Sequence, residues 1–234
     1  MKYIVLSDIH GMSENLRDLL KELKKIKNSQ FIFLGDYIDR GPNSANVIDQ
    51  LVELKEERND SIFLMGNHEE LMFNLYFPEL LHITTLSKKM CNDIDYMNEL
   101  WIYDNGGIKT CESYNFVFEN GMYVADFPKK HIDFFKSLKI LYSVPNFIFV
   151  HAGMDRKKPL SENDAEDFLW IRPPFGLEYE MKRMIVHGHT PVKEVAFDNF
   201  ENRINIDTGC VYGGKLSALV IDTENNSFEI FENK

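Results

Sequence analysis

The residues of this chain with a capacity for chemistry fall into five short clusters. They are Asp8-Ile9-His10-Gly11, Gly35-Asp36-Tyr37-Ile38-Asp39-Arg40-Gly41, Gly66-Asn67-His68-Glu69, His151-Ala152-Gly153 and His187-Gly188-His189-Thr190-Pro191. Asp8 and His10 stand two apart, so on an extended strand end both side chains point to one face. Asp36 follows a second apolar run in the same way, and its two carboxylate oxygens can bridge two cations. Asn67 offers a neutral carbonyl oxygen, and His68 beside it offers a proton donor. Glycines close to His151 and His189 let the backbone approach closely. A single Asp-x-His or a lone histidine is more often a satisfied structural residue. All of them together, at successive strand ends, make a nest for hard or borderline divalent metals.

Such a nest points to phosphoester hydrolysis. Two divalent ions about 3.5–4 Å apart share a water, lower its pKa towards 7 and clamp the phosphoryl oxygens during in-line attack. The charge left on the phosphoryl group calls for a planar, bidentate cation, and Arg40 stands in the same loop as Asp36. The leaving alkoxide calls for an acid. His68 is placed to be one, with Asp39 holding its imidazole in the right tautomer. A salt bridge between Asp39 and Arg40 that merely shapes the loop is the structural alternative for that pair.

These side chains need strands to carry them. Tyr3–Leu6 and Phe31–Leu34 are short apolar runs, each ended by a polar turn, and between them Leu16, Leu19, Leu20, Leu23 and Ile26 repeat at helical spacing behind Ser13 as N-cap. The rhythm repeats, with Val47, Ile48, Leu51 and Leu54 on a helix and Ile62–Met65 as a strand. Strands alternating with amphipathic helices imply a largely parallel sheet with right-handed crossovers, whose ligands belong at the carboxyl ends of the strands. Residues from 69 to about 140 are richer in aromatics, Met and Asn. They read as a mostly helical insertion flanking the site, with helices over Glu70–Phe77 and roughly Lys130–Leu138. Strands resume at Ile140–Ser143, Asn146–Val150 and Met184–Val186. Arg203–Ile206, Lys215–Asp222 and Phe228–Phe231 suggest an antiparallel finish. The expectation is one domain over residues 1–234.

The chain has 234 residues, 44% of them apolar, enough for one core, and a formal net charge of −11. That balance argues against nonspecific nucleic-acid or anionic-membrane binding, which needs basic patches. It leaves room for a small phosphorylated substrate, because bound divalent metals reverse the field locally. Cys91, Cys111 and Cys210 are odd in number and without CxxC spacing, so they read as reduced thiols of a cytoplasmic protein. The first strand starts at the N-terminus, which leaves no space for a signal peptide. No apolar stretch approaches the roughly 20 residues that span a bilayer.

The segments Asp-Ile-His-Gly, Gly-Asp-Tyr-Ile-Asp-Arg-Gly, Gly-Asn-His-Glu and His-Ala-Gly, in this order, closely resemble the signature blocks of the PPP family of serine/threonine phosphatases, within the calcineurin-like metallophosphoesterases. The resemblance implies an α/β sandwich of mixed sheets flanked by helices, with a dinuclear site at its edge. It implies a first metal held by Asp8, His10 and Asp36, and a second held by Asp36, Asn67, His151 and His189. His189 is preferred to His187 because the family places Gly or Ala directly before that ligand. It implies His68 as general acid with Asp39 as its partner, and Arg40 on the phosphate. Arg172, in Leu169-Trp170-Ile171-Arg172-Pro173, resembles the second phosphate-binding arginine more closely than Arg156 or Arg183.

The metals expected are two divalent ions, manganese first, with iron or zinc as alternatives for a thiolate-free donor set. The reaction expected is hydrolysis of a phosphomonoester, with phosphoserine or phosphothreonine of proteins favoured. The nearest rival is a symmetrical bis(5'-nucleosyl)-tetraphosphate hydrolase, a class that usually lacks the Asp of the Asp-Arg-Gly triplet, which here is Asp39; another small-molecule phosphoesterase is the further alternative. A phosphoprotein-binding module with a dead site is the alternative from a different class, and the intact donor set argues against it.

Overall fold

Short β-branched and aromatic runs build two five-stranded sheets, and their central strands are buried on both faces, which is why these read as unbroken apolar runs. The computed structural model describes residues 1–77, 85–86, 90, 93–119, 122–124, 126–176 and 182–233. In it β1 (Lys2–Leu6), β2 (Ser29–Phe33) and β3 (Ile62–Phe63) run parallel, joined by helices α1 (Ser13–Leu23) and α2 (Ser44–Glu57). After β3 the chain turns at once into α3 (Asn67–Tyr76).

The region that follows contains α4 (Ile94–Met97), a π-helical stretch at Asn98–Asp104, α5 (Ile108–Ser113), a hairpin of β4 (Val117–Glu119) and β5 (Met122–Val124), and α6 (Lys129–Lys136). The second sheet is formed by β6 (Leu141–Val144), β7 (Phe147–Val150), β8 (Met184–His187), β9 (Ala196–Asp198) and β10 (Arg203–Asn205), with α7 (Ala165–Trp170) between β7 and β8. The chain then returns to the first sheet as β11 (Ser217–Asp222) and β12 (Ser227–Glu232).

The strand orders are β12-β11-β1-β2-β3 and β6-β7-β8-β10-β9. Within the second sheet β7, β8 and β10 are parallel while β6 and β9 pair antiparallel at its edges, and in the first sheet β11 joins β1 antiparallel, so both sheets are mixed. Alternation along β1 sets the layers. Ile4 and Leu6 pack with Leu16 and Leu20 of α1 and Val47 and Leu51 of α2, while Val5 faces the second sheet, in a layer with Phe149, Val186 and Ile204. On the outer face of the second sheet, Ile148, Val150 and Ile185 pack against Phe168 of α7. Each fully buried side chain of this kind contributes about 1.5–3 kcal/mol. Truncating Leu51, with no exposed surface, removes both its burial and its contacts, at about 2–5 kcal/mol.

Several boundaries differ from the sequence reading. Ser13 is the first helical residue of α1 and Met12 is its cap, without a side-chain bond, whereas the Asn43 side chain does cap α2 by accepting from the Asn46 N–H. The expected strand at Ile62–Met65 stops at Phe63. Leu64 and Met65 instead pair with Lys139, because the backbone has already swung towards Gly66 and α3. The β4–β5 hairpin, α7 and edge strand β9 were not anticipated. They are too short to show periodicity. Cys111 and Cys210 are free and buried, and Cys91 lies outside the described residues. Among the described residues, no helix is long and apolar enough to cross a membrane.

Candidate active site

Because β1, β2, β3, β7 and β8 are parallel neighbours within their sheets, their carboxyl ends open on one crevice, and the five clusters meet there. Cross-links lock the loops. The Asp8 N–H donates to Gly35 O (3.1 Å), the His10 N–H to Asp36 O (2.9 Å) and the Gly188 N–H to His151 O (2.8 Å). The two sheets are joined through the site itself: both Asp8 oxygens accept from the His189 N–H (3.1 and 3.0 Å), and Ser7 donates its hydroxyl to the same carboxylate. Gly66 packs its Cα against the Asp36 side chain, where a Cβ would overlap the carboxylate.

Six of the predicted site residues have left-handed backbones: Asp8 (φ 51°), His10 (45°), Asp36 (56°), Asp39 (73°), Arg40 (65°) and His189 (65°). For a residue with a Cβ this costs roughly 1–2 kcal/mol. The surrounding hydrogen bonds hold them in place. The central clamp is Glu69, fully buried in the first turn of α3. One of its oxygens accepts from the N–H groups of Tyr37 (2.8 Å) and Ile38 (3.3 Å), the other from those of Asp36 and Gly66 (2.9 Å each).

Donor atoms converge on Asp36. Those of His10, Asp36 and His68 lie within 4.8 Å of one another, and so do those of Asp36, His151 and His189. Each Asp36 oxygen faces one group: Oδ2 is 3.4 Å from His10 Nε2, and Oδ1 is 3.4 Å from His151 Nε2. Asn67 Oδ1 completes the second group, 2.9 Å from His151 Nε2 and 3.0 Å from His189 Nδ1. Asp8 stands beside these triads, tied to them through His189.

The tautomers follow from the partners. His10 Nδ1 lies 2.8 Å from Ile38 O, and His151 Nδ1 lies 3.0 Å from Leu34 O. A carbonyl only accepts, so both Nδ1 atoms carry the hydrogen and both Nε2 atoms turn bare lone pairs inward. Lone pairs of His151, Asn67 and Asp36 thus face one another, an arrangement favourable about a cation, and backbone support of the far nitrogen is what metal-binding histidines commonly have. At His10 a cation already fills that direction: Arg40 Nη1 donates to Nε2 at 2.8 Å. His189 Nε2 and His68 Nε2 are buried without a partner among the described residues. The donor set therefore fits divalent metals.

Charge tells the same story. Burial, with Asp207 second, pushes the Asp8 carboxyl well up. Burial, then Asp8 and Glu69, does the same to Asp36. Burial drives His10, His68 and His151 well down, and His189 to about 3. Carboxylates this crowded ionise together only beside added positive charge.

His68 belongs to a second network. Its Nδ1 meets Asp39 Oδ2 at 2.7 Å, and the same oxygen accepts from Trp101 Nε1 at 2.8 Å. Thr110 donates its hydroxyl to Asp39 Oδ1 at 2.6 Å. Burial raises the Asp39 carboxyl to about 7. With Asp39 committed to these partners and the Arg40 guanidinium turned to His10, no direct Asp39–Arg40 salt bridge shapes the loop. Arg172 is exposed and donates to His189 O (3.1 Å) and Thr190 Oγ1 (3.2 Å), on the rim of the second triad. Arg156 is instead buried and holds Glu201 O (2.5 Å). His187 joins neither triad; its Nδ1 lies 3.0 Å from Gly188 O and its ring packs on Phe175.

The sequence reading passed over Glu69 as the end of its block, and over Trp101 and Asp207. Asp207 carried the same signal as Asp8 and Asp36, a carboxylate following an apolar strand. It is buried, with its carboxyl raised by burial to about 6, close enough to Asp8 to raise that carboxyl too.

The chain belongs to the calcineurin-like phosphoesterase family, whose pattern matches residues 1–214. Its similar relatives include proteins named bis(5'-nucleosyl)-tetraphosphatase PrpE [asymmetrical]. The one from Anoxybacillus flavithermus is 26% identical and the one from Bacillus cereus strain Q1 is 29% identical, each over 94% of this chain and 90% of the relative. Among solved structures, a putative diadenosine tetraphosphatase superposes with a TM-score of 0.65 at 18% identity, covering 100% of this chain and 94% of that one. A serine/threonine phosphatase from Saccharomyces cerevisiae superposes with 0.62 at 15% identity, covering 100% and 80%. The α/β calcineurin-like fold read from the sequence is the one observed.

Proposed function

We propose that the protein is a dinuclear metal-dependent phosphoesterase whose substrates are nucleoside polyphosphates of the bis(5'-nucleosyl) tetraphosphate type. The observation that carries the reaction is the Asp36 carboxylate, one oxygen turned to each donor group, with the His68–Asp39 pair alongside. Asp8, His10 and Asp36 would hold one divalent ion, and Asp36, Asn67, His151 and His189 the other. Manganese, iron and zinc all suit these oxygen and imidazole donors. Bound there, the ions supply acidification of a water and neutralisation of phosphoryl oxygens.

The protein's own groups do the rest. Arg40 and Arg172 bind the non-bridging phosphoryl oxygens and orient the group for in-line displacement. Asp39 fixes the His68 ring. When the Asp39–His68 pair is neutral overall, as an imidazolium facing a carboxylate or as an imidazole facing a carboxylic acid, Nε2 carries a hydrogen in both forms. That hydrogen is the proton delivered to the leaving oxygen. The substrate class and the asymmetrical cleavage rest on the names of the relatives; the sequence reading had ranked second a symmetrical hydrolase of the same substrates.

A second reading, phosphoserine or phosphothreonine of proteins, keeps one specific observation in its favour. A nucleotide leaves as a stable anion, whereas a serine or threonine alkoxide requires a proton, and the His68–Asp39 pair is fully built to provide one. Steady-state hydrolysis with manganese separates the readings. Diadenosine tetraphosphate should be cleaved, with ATP and AMP as the asymmetrical products, and the activity should vanish in Asp8→Asn. Cleavage of a phosphoserine/phosphothreonine peptide with the dinucleotide untouched would transfer the protein to the second reading. No metal-dependent turnover of either would remove both.

A further inference from the structure

From the rim of the metal donors to the far side of the neighbouring loop, the surface carries cations and then an exposed aromatic ring. Arg40 stands against His10, and Arg172 against His189 and Thr190. Directly after Thr190 begins an open hollow of about 550 Å³, whose walls include Pro191, Lys193, Thr208 and Tyr212. Lys193 and Tyr212 are exposed, Tyr212 to 63%. Its ring takes the Arg40 guanidinium carbon 5.6 Å from its centroid, so one arginine touches both the donor cluster and the aromatic wall.

Tyr212 is presented by one 3₁₀ turn, Cys210–Tyr212, pinned at both ends by left-handed glycines, Gly209 (φ 66°) and Gly213 (φ 89°). Cys210, the other end of the turn, is buried. The turn is therefore anchored on one side and holds a large ring outward on the other. An exposed ring on an anchored turn beside a hollow is suited to stacking.

On a chain of formal net charge −11, a track of Arg40, Arg172 and Lys193 ending at an aromatic face selects a particular ligand shape. It fits an anion of several phosphates that ends in a flat, uncharged ring. We infer that the hollow beside Tyr212 is a nucleobase subsite, in which the base of a nucleoside polyphosphate stacks on the Tyr212 ring while its phosphates run past Lys193 and the arginines to the metal donors. This rests on the nucleotide reading of the site. Base–aromatic stacking tolerates any base, so the subsite favours a nucleoside end over none without choosing strongly among bases.

The test is calorimetric titration of the metal-loaded full chain with ADP and, separately, with inorganic pyrophosphate, which shares the two phosphates and lacks the nucleoside. Tyr212→Leu keeps apolar bulk over Arg40 and removes the π face; Tyr212→Phe keeps the face. The leucine variant should bind ADP roughly 5- to 150-fold more weakly, the weight of one base–aromatic stack, with a much smaller change for pyrophosphate. The phenylalanine variant should restore ADP binding.

Equal weakening of both ligands, no weakening of either, or no ADP binding by the wild type overturns the subsite. Turnover assays on diadenosine tetraphosphate keep the two ideas apart. Cleavage that is indifferent to Tyr212 would sink the subsite and leave the activity standing. Tyr212-dependent ADP binding without cleavage would support the subsite and sink the proposed substrate.

Discussion

Trp101→Phe isolates one hydrogen bond behind the proposed general acid. The indole N–H donates to Asp39 Oδ2 at 2.8 Å, on a carboxylate with no exposed surface that also faces His68 Nδ1 and Thr110. A hydrogen bond to a charged acceptor contributes about 1.5–3 kcal/mol. Trp101 is itself fully buried, so the smaller ring adds a cavity term, and a total loss of about 3 kcal/mol is expected. At about 2–4 °C per kcal/mol for a chain of this size, the melting temperature should fall by roughly 6–12 °C.

The rate effect has a different signature. The lost donor raises the Asp39 carboxyl further and loosens the His68 ring, so proton delivery suffers by up to the same 1.5–3 kcal/mol, about 10- to 150-fold in kcat. That penalty applies only where the leaving oxygen needs the proton. The assay is therefore a series of aryl phosphates from phenyl to p-nitrophenyl, alike in shape and graded in leaving-group basicity. Phenyl phosphate should carry the full loss and p-nitrophenyl phosphate almost none. Thr110→Val, which removes the donor on Oδ1, should give the same slope and guards against a folding failure of the first variant. Equal losses along the series would refute the reasoning and reduce Trp101 to a packing role.

Metal removal should destabilise the fold. A ligand at a hundred times its Kd adds about 2.7 kcal/mol, so stripping one site with EDTA should lower the melting temperature by about 5–10 °C, read by calorimetry with manganese restored as control. In the metal-free protein, Asp39 and Glu69, both raised by burial to about 7, and Asp207, raised by burial to about 6, bind protons that the unfolded chain has already released. Their contribution is fully present below the unfolded pKa near 4 and is lost as pH rises through 6 to 7. The five buried histidines, driven down by burial, act in the opposite sense, so the carboxylate contribution is read by difference. The melting temperature at pH 8 minus that at pH 6 should be more negative in the chelated wild type than in chelated Asp39→Asn, and an equal or less negative difference would contradict the burial of Asp39. His187→Asn should cost about 1–3 kcal/mol of stability, through Gly188 O and the Phe175 contact, while metal-dependent kcat and metal stoichiometry persist. Loss of one bound metal would instead make His187 a ligand.

The parts of the site legible in the sequence were those tied to strand ends. A carboxylate or imidazole directly after a buried apolar run has little choice of position, so Asp8, His10, Asp36 and His151 fell where the β-α rhythm put them. Asn67 and His68 reached the same crevice by another route, in the first turn of α3, because β3 is only two residues long. Trp101 and Thr110 were hidden because they reach Asp39 across sequence separations of 62 and 71 residues, from a region whose elements are too short for any period to register. Glu69 was hidden for a different reason. Its task is to satisfy four backbone N–H groups, and no residue pattern marks which loop will need a carboxylate at its centre.

The six left-handed residues of the site have a consequence for anyone trying to make this protein sturdier. At each of them glycine or asparagine would relax the backbone, so in the metal-free chain gains in heat resistance lie on residues proposed to bind metal and phosphate or, at Asp39, to hold the general acid. A screen that rewards only survival at high temperature would reach those positions early and would return robust proteins that no longer turn over substrate. Thermal selection on this scaffold therefore needs catalysis as a second gate, because endurance and activity are opposed at the same few α-carbons.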